Sequence, residues 1–154
     1  MARTIKRKKG PVTAKKISYE GINFASGLEK YMYIALQKAG IKSYFEDQTY
    51  ELVTGFDFAV NSFERQGNGK GEFVNRGNKK ILNIKYTPDF IVYTRDRYIQ
   101  FIIECKGRAN DSFPIRWKLF KKLIMETSPN VILFKPQSHK DCDKTVEIIL
   151  DSIG

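Results

Sequence analysis

The chain has 154 residues, one domain's length, and 27 lysines and arginines against 17 acids give it a formal net charge of +10. Its composition, 42% hydrophobic and 13% aromatic, excludes global disorder. No apolar run reaches the roughly 20 residues of a membrane span, and no signal-peptide core follows the basic N-terminus. Two cysteines and one histidine exclude zinc fingers and centres built on several imidazoles, so a catalytic site here must use carboxylates and lysines. Two cysteines without a secretory signal suit a reducing, cytoplasmic setting.

The first 16 residues carry seven cations (Arg3, Lys6, Arg7, Lys8, Lys9, Lys15 and Lys16) and no acid, leaving the rest of the chain only slightly basic. Residues 1–18 read as a flexible basic arm that meets nucleic-acid phosphates. A solubilising or targeting tail is the alternative. Residues 19–154 read as one domain.

The first element is a helix from about Gly27 to Ala39. Ser26 and Glu29 fit a capping box, and Leu28, Tyr31, Met32, Ala35 and Leu36 recur on one face. Gly40 followed by Ile41 reads as its C-terminal stop. The aromatic and β-branched residues 42–63 suggest one or two strands. Residues 64–80 hold four glycines, three asparagines and five cations, a polar hairpin or loop inserted between strands. Strands resume at Ile81–Tyr86, Phe90–Thr94 and Tyr98–Cys105, the last apolar enough to be buried on both faces. A second helix begins near Ser112–Pro114. Its expected apolar face is Ile115, Leu119, Phe120, Leu123 and Ile124, with Arg116, Lys118, Lys121 and Lys122 around the other side. Val131–Phe134 is a short strand. A third helix runs from about Asp143 to Ser152 with Val146, Ile149, Leu150 and Ile153 inward. The order is α-β-β-β-α-β-α.

The chemistry concentrates in Tyr86-Thr87-Pro88-Asp89-Phe90 and Glu104-Cys105-Lys106-Gly107. Residues two apart on a strand share a face, so Glu104 and Lys106 point one way and Cys105 the other. If Asp96-Arg97 is a two-residue hairpin turn, Asp89 lies opposite Glu104, with about 4.5–5.5 Å between their Cβ atoms. Two carboxylates so placed repel unless a cation lies between them, and a divalent ion with oxygen ligands fits. Lys106 could then contact a phosphate or a metal-bound water. A turn aspartate and a surface Glu-Lys pair are the plainer readings, but these charges interrupt the most apolar strand of the chain. Glu29 is either a capping residue alone or a member of the same site. Cys105 reads as a small buried hydrophobe, His139 as part of a polar loop, Trp117 as a packing residue of the second helix, and Met32 and Met125 as core filler.

Together, Phe24-Ala25-Ser26-Gly27-Leu28-Glu29, Tyr86-Thr87-Pro88-Asp89-Phe90 and Glu104-Cys105-Lys106-Gly107 resemble the PD-(D/E)xK nuclease superfamily. Over residues 20–135 they look most like the phage endonuclease I type of Holliday-junction resolvase. The resemblance implies an α/β fold with a restriction-endonuclease-like αβββαβ core, a mixed central sheet flanked by helices. It implies a DNA endonuclease with Mg²⁺, or Mn²⁺ in its place, held by Asp89, Glu104, the Cys105 carbonyl and Glu29. Lys106 would orient or activate the attacking water, and the products would be a 5′-phosphate and a 3′-hydroxyl. DNA contacts are expected from the arm and from Arg116, Lys118, Lys121 and Lys122. A phage-encoded homodimer acting in the host cytoplasm on branched DNA follows, joined through helix 1 and residues 42–63. Cleavage of single-stranded or flap DNA, and non-catalytic nucleic-acid binding, are the competing readings. The polar insert and the last helix depart from the resolvase pattern.

Overall fold

The computed structural model describes residues 16–108 and 112–154. The contacts expected of Arg3, Lys6, Arg7, Lys8, Lys9 and Lys15 lie outside the described residues, while Lys16 is exposed. The chain divides into two compact units. One takes the residues up to Ser43 with Cys105–Gly107 and Lys135–Gly154; the other takes Tyr44–Glu104 and Arg108–Phe134.

The first unit opens with a hairpin absent from the sequence reading, β1 (Ile17–Tyr19) against β2 (Ile22–Phe24). Glu20 and Gly21 both take positive φ at its two-residue turn, the backbone that the right-handed twist of a hairpin favours. Helix α1 (Gly27–Lys38) follows, with Ser26 as its N-cap. It stops as expected: Gly40 takes a φ of +71°, and the Gly40 and Ile41 amides return to the carbonyls of Gln37 and Leu36. Its buried stripe is Glu29, Met32 and Leu36, so a carboxylate sits among the apolar positions.

Helix α3 (His139–Ile153) packs against α1. It starts four residues before the expected Asp143, because Ser138 caps it by accepting from the Asp141 amide. His139 is therefore its first residue and not part of a loop; its ring stacks on Tyr31 at 3.9 Å. The buried stripe is Cys142, Thr145 and Ile149. Leu150 and Ile153, expected inside, are exposed.

In the second unit a mixed four-stranded sheet has the order β12-β11-β10-β3. Its members are β3 (Tyr44–Phe45), β10 (Phe90–Tyr93), β11 (Ile99–Ile103) and β12 (Ile132–Phe134). The β3–β10 and β10–β11 pairs are antiparallel and β11–β12 is parallel. Three helices and a mixed four-stranded sheet make the class α/β, as expected. Phe101, Ile102 and Ile103 are fully buried, as their apolar run predicts. Helix α2 (Phe113–Thr127) carries Pro114 in its first turn and buries Phe113, Trp117, Phe120 and Ile124. Those residues form one cluster with Tyr86, Ile91 and Ile102. Trp117 thus packs as expected, but the buried face is rotated from the predicted one, leaving Ile115 exposed; Met125, expected as core filler, is exposed too.

Residues 50–86 correct the sequence reading most. Strands β4 (Tyr50–Val53), β5 (Phe56–Phe58) and β6 (Phe63–Glu64) run outward. Strands β7 (Val74–Asn75), β8 (Lys79–Ile81) and β9 (Ile84–Tyr86) run back. They pair β4–β9, β5–β8 and β6–β7, so the supposed insert is the far half of one long two-stranded ribbon. Ile81–Tyr86 belongs to that ribbon and not to the sheet. At Gly77 the strands approach so closely that a Cβ would run into the Val60 carbonyl oxygen and stand 2.8 Å from the Ser62 nitrogen. No other residue fits there without moving backbone.

Candidate functional site

The β10–β11 hairpin sets the geometry. Phe90 pairs with Ile103, Ile91 with Ile102 and Val92 with Phe101. Continued by one residue, this register puts Asp89 opposite Glu104, as expected, although the turn is not the expected one. The Thr94 amide bonds to the Tyr98 carbonyl and the Arg97 amide to the Thr94 carbonyl. Arg95-Asp96-Arg97 is therefore a three-residue loop, with Arg97 at a φ of +63°. That loop alone would set Asp89 one residue off. A bulge at Gln100, where Val92 pairs with Phe101 but Tyr93 with Ile99, removes the offset.

Alternation places Asp89, Ile91, Ile102 and Glu104 on the sheet face covered by α2. Asp89 is 9% exposed and Glu104 6% exposed. Two carboxylates are thus side by side at the end of an apolar strand pair, beyond the last aliphatic pair. The Asp89 carbonyl accepts from the Glu46 amide at 2.8 Å, which extends the β3–β10 pairing by one residue. The Glu104 amide donates to the Phe134 carbonyl at 2.9 Å.

A residue missed by sequence reasoning completes this cluster. The buried Tyr86 hydroxyl donates to Glu104 Oε2 at 2.6 Å. Its ring is held by Phe120 at 4.7 Å and Trp117 at 6.4 Å. Tyr86 ends the ribbon three residues before Asp89, so the signal was in the motif itself: a tyrosine just ahead of Pro-Asp, buried at the end of an otherwise exposed strand.

Cys105 and Lys106 follow Glu104 along the chain and count with the first unit. Cys105 is buried and in no disulfide, as expected of a small core residue. Lys106 is half-buried, and its amide donates to the Pro136 carbonyl at 3.0 Å. Glu29, in the first unit, is 7% exposed and does the work of a cap. Its Oε2 accepts from the Ala25 amide at 2.9 Å and its Oε1 from the Ser26 hydroxyl at 3.2 Å. The structure therefore brings Asp89, Glu104 and Tyr86 together within one unit and places Glu29 and Lys106 in the other. Among the described residues no group of three or more His, Cys, Asp or Glu side chains could hold a metal ion. Arg116, Lys118, Lys121 and Lys122 are all exposed along α2, where Lys122 stands 4.0 Å from Glu126.

Chemically, Asp89 and Glu104 offer hard oxygen donors in a buried setting. That suits a small divalent cation completed by water and substrate oxygens more than a closed protein cage. No described helix is long and apolar enough to cross a membrane. No curated protein and no solved structure matches the chain. Residues 9–137 match the model of a family described as a protein of unknown function, DUF1064; the match spans the ribbon, the Asp89–Glu104 hairpin and α2, and stops short of α3. The chain belongs to the DUF1064 family.

Proposed function

We propose that this protein is a Mg²⁺-dependent endonuclease that hydrolyses DNA phosphodiester bonds, with branched DNA as its preferred substrate. The observation that carries the reading is the juxtaposition of two buried carboxylates, Asp89 and Glu104, in register on neighbouring strands. Burying two like charges side by side is unfavourable unless a cation or a proton offsets it. The mixed sheet with its α/β class, the Glu-x-Lys strand end and the basic surface of α2 support the same reading.

The donor set fits the cation. Mg²⁺ takes oxygen ligands, keeps several waters and is commonly held by one or two carboxylates plus substrate phosphate. Asp89, Glu104 and the Cys105 carbonyl would hold it, and Mn²⁺ would substitute. When bound it supplies Lewis acidity at the phosphate and a nucleophile at neutral pH. The remaining work falls to the chain. The Tyr86 hydroxyl fixes one oxygen of Glu104 and so the orientation of that carboxylate. Lys106 opposes the growing charge on the phosphate and orients the attacking water. Glu29, which caps α1, is the further acid whose removal should cripple cleavage on this reading.

One such site per chain cuts one strand, and resolving a four-way junction takes two symmetric cuts, so the reading includes a two-fold homodimer. The exposed Tyr44, Phe56 and Val60 supply apolar surface for it.

The test is cleavage of a labelled four-way junction, a flap, single strands and plain duplex, with and without Mg²⁺. Wild type should cut the junction only with the metal. Glu104→Gln and Lys106→Ala should bind DNA without cutting it. Wild-type rates in either variant would remove the site assignment.

A further inference from the structure

We infer that the far half of the β-ribbon, residues 61–80, docks in the major groove of B-form duplex DNA, with Lys70, Lys79 and Lys80 on its phosphates. The inference takes its partner, DNA, from the reading above, but it does not need the carboxylate site to be catalytic.

Three observations carry it. The first is shape. A two-stranded ribbon is one of the few elements that the roughly 12 Å wide B-form major groove admits. This one runs from Tyr50 to Tyr86 as paired strands, and no ladder joins it to the four-stranded sheet. From Lys70 at the tip to Lys80 the return strand reaches at most about 33 Å, at about 3.3 Å per residue.

The second is charge and composition. Residues 61–80 hold five cations against two acids, and lysine is a residue type that bonds phosphates. The asparagines serve the ribbon itself: Asn75 and Asn78 both donate to Asn61 Oδ1. Neither Lys122–Glu126 nor Lys144–Glu147 draws on the ribbon, and among the described residues Lys70, Lys79 and Lys80 form no ion pair with its own acids. Lys70, Lys79 and Lys80 are all exposed.

The third is preorganisation. The two arginines of this half face inward onto its backbone. Arg65 donates to the Gly71 carbonyl at 2.6 Å, and Arg76 donates to the carbonyls of Glu64 and Glu72 at 3.1 and 3.2 Å. The tip closes through Gln66, Asn68, Gly69 and Lys70: the Gln66 amide reaches the Lys70 carbonyl, and the Lys70 amide reaches the Asn68 side chain. A solvated loop has no use for such bracing, whereas a braced element loses less freedom on binding. The division of labour follows: arginines hold the ribbon and lysines meet the DNA.

The experiment is fluorescence anisotropy of the full chain on a labelled DNA duplex and on an RNA duplex of the same sequence, without divalent metal, across a salt series. The variant is the triple substitution Lys70→Ala, Lys79→Ala and Lys80→Ala, run beside wild type and checked for mass by sedimentation. Each phosphate contact contributes about 0.9 to the slope of log affinity against log salt. The triple variant should therefore lose roughly 2 to 3 units of slope on DNA, and on the order of tenfold or more in affinity at moderate salt. RNA binding should be weaker and indifferent to the lysines, because the A-form major groove is too narrow for the ribbon.

Unchanged affinity and slope on DNA would overturn the inference. So would equal dependence on the lysines with RNA, or a loss of binding that tracks a change in mass. Cleavage assayed in parallel separates the two readings. Ribbon-dependent binding by a wild type that never cuts refutes the nuclease and keeps the ribbon. Cutting with lysine-independent binding does the reverse.

Discussion

Tyr86→Phe is the sharpest single probe of the carboxylate pair. It removes one oxygen and leaves the ring where Phe120 and Trp117 hold it, at 4.7 and 6.4 Å. What is lost is the 2.6 Å hydrogen bond to Glu104 Oε2. A bond to a charged group is worth about 1.5–3 kcal/mol. In a chain of this size each kcal/mol moves the melting temperature by about 2–4 °C, so the metal-free variant should melt several degrees lower. Stability alone would not separate a structural bond from a functional one. The discriminating measurement is the Mg²⁺ dependence of cleavage. A residue that orients a metal-binding carboxylate typically changes metal affinity by about 10–100-fold when removed. The Mg²⁺ concentration for half-maximal cleavage should therefore rise by that order, while the rate at saturating Mg²⁺ stays within a few-fold of wild type. A variant that melts lower but keeps the wild-type Mg²⁺ curve would refute the positioning role and leave Tyr86 as a core tyrosine.

The chain supplies its own control for Glu29. Asp141 caps α3 in the same way, with its amide on Ser138 Oγ and its Oδ2 accepting from the Gln137 amide, but on an exposed surface. Asp141→Asn should cost about 1 kcal/mol and leave cleavage alone; Glu29→Gln should cripple cleavage, and full activity in that folded variant would return Glu29 to capping only. Gly77→Ala should disorder the far half of the ribbon at a cost of about 1–3 kcal/mol. Limited proteolysis should then cut within residues 61–80 while α2 stays protected, and an unchanged digestion pattern would show the crossing can relax. Sedimentation equilibrium at micromolar concentration should give twice the 17.8 kDa chain mass; a monomer would move the substrate from junctions to single strands or flaps.

Legibility followed the range of the interactions. Helix α1 was readable because its cap and its stop are local: Ser26, Glu29, Gly40 and Ile41 decide both ends within a few residues. The start of α3 uses the same chemistry with aspartate in place of glutamate, and it was missed by four residues. Helix faces were less readable because exposed apolar residues, Ile115 on α2 and Leu150 and Ile153 on α3, mimic a core stripe. The ribbon was illegible as a ribbon. Its strands are two to four residues long and largely solvated on both sides, so no inside-outside alternation marks them. Asp89 opposite Glu104 is predictable because antiparallel register is arithmetic, and the register survives because two departures offset each other, the loop at Arg95–Arg97 and the bulge at Gln100. Tyr86 escaped because it reaches Glu104 by the length of its side chain, which no pairing rule encodes.

The carboxylate pair also makes a claim about stability that is independent of catalysis. Ile91 and Ile102 pair directly before Asp89 and Glu104 on the same face, so the sheet passes from an aliphatic pair to an acidic pair in one step. With no cation present, the two acids gain nothing from each other and lose hydration. A cation bound to the folded chain alone must stabilise it by mass action, by about 2.7 kcal/mol at one hundred times its dissociation constant. At about 2–4 °C per kcal/mol this is a rise in melting temperature of roughly 5–10 °C. Wild type should show that rise with Mg²⁺ or Mn²⁺ and without any DNA. Glu104→Gln removes one of the two charges and keeps an oxygen for Tyr86 to bond, so it should fold and show little or no rise. An equal rise in both proteins would place the ion elsewhere. No rise in wild type at tens of millimolar Mg²⁺ would mean that the pair does not bind the metal without substrate, and the donor set would then have to include the phosphate itself.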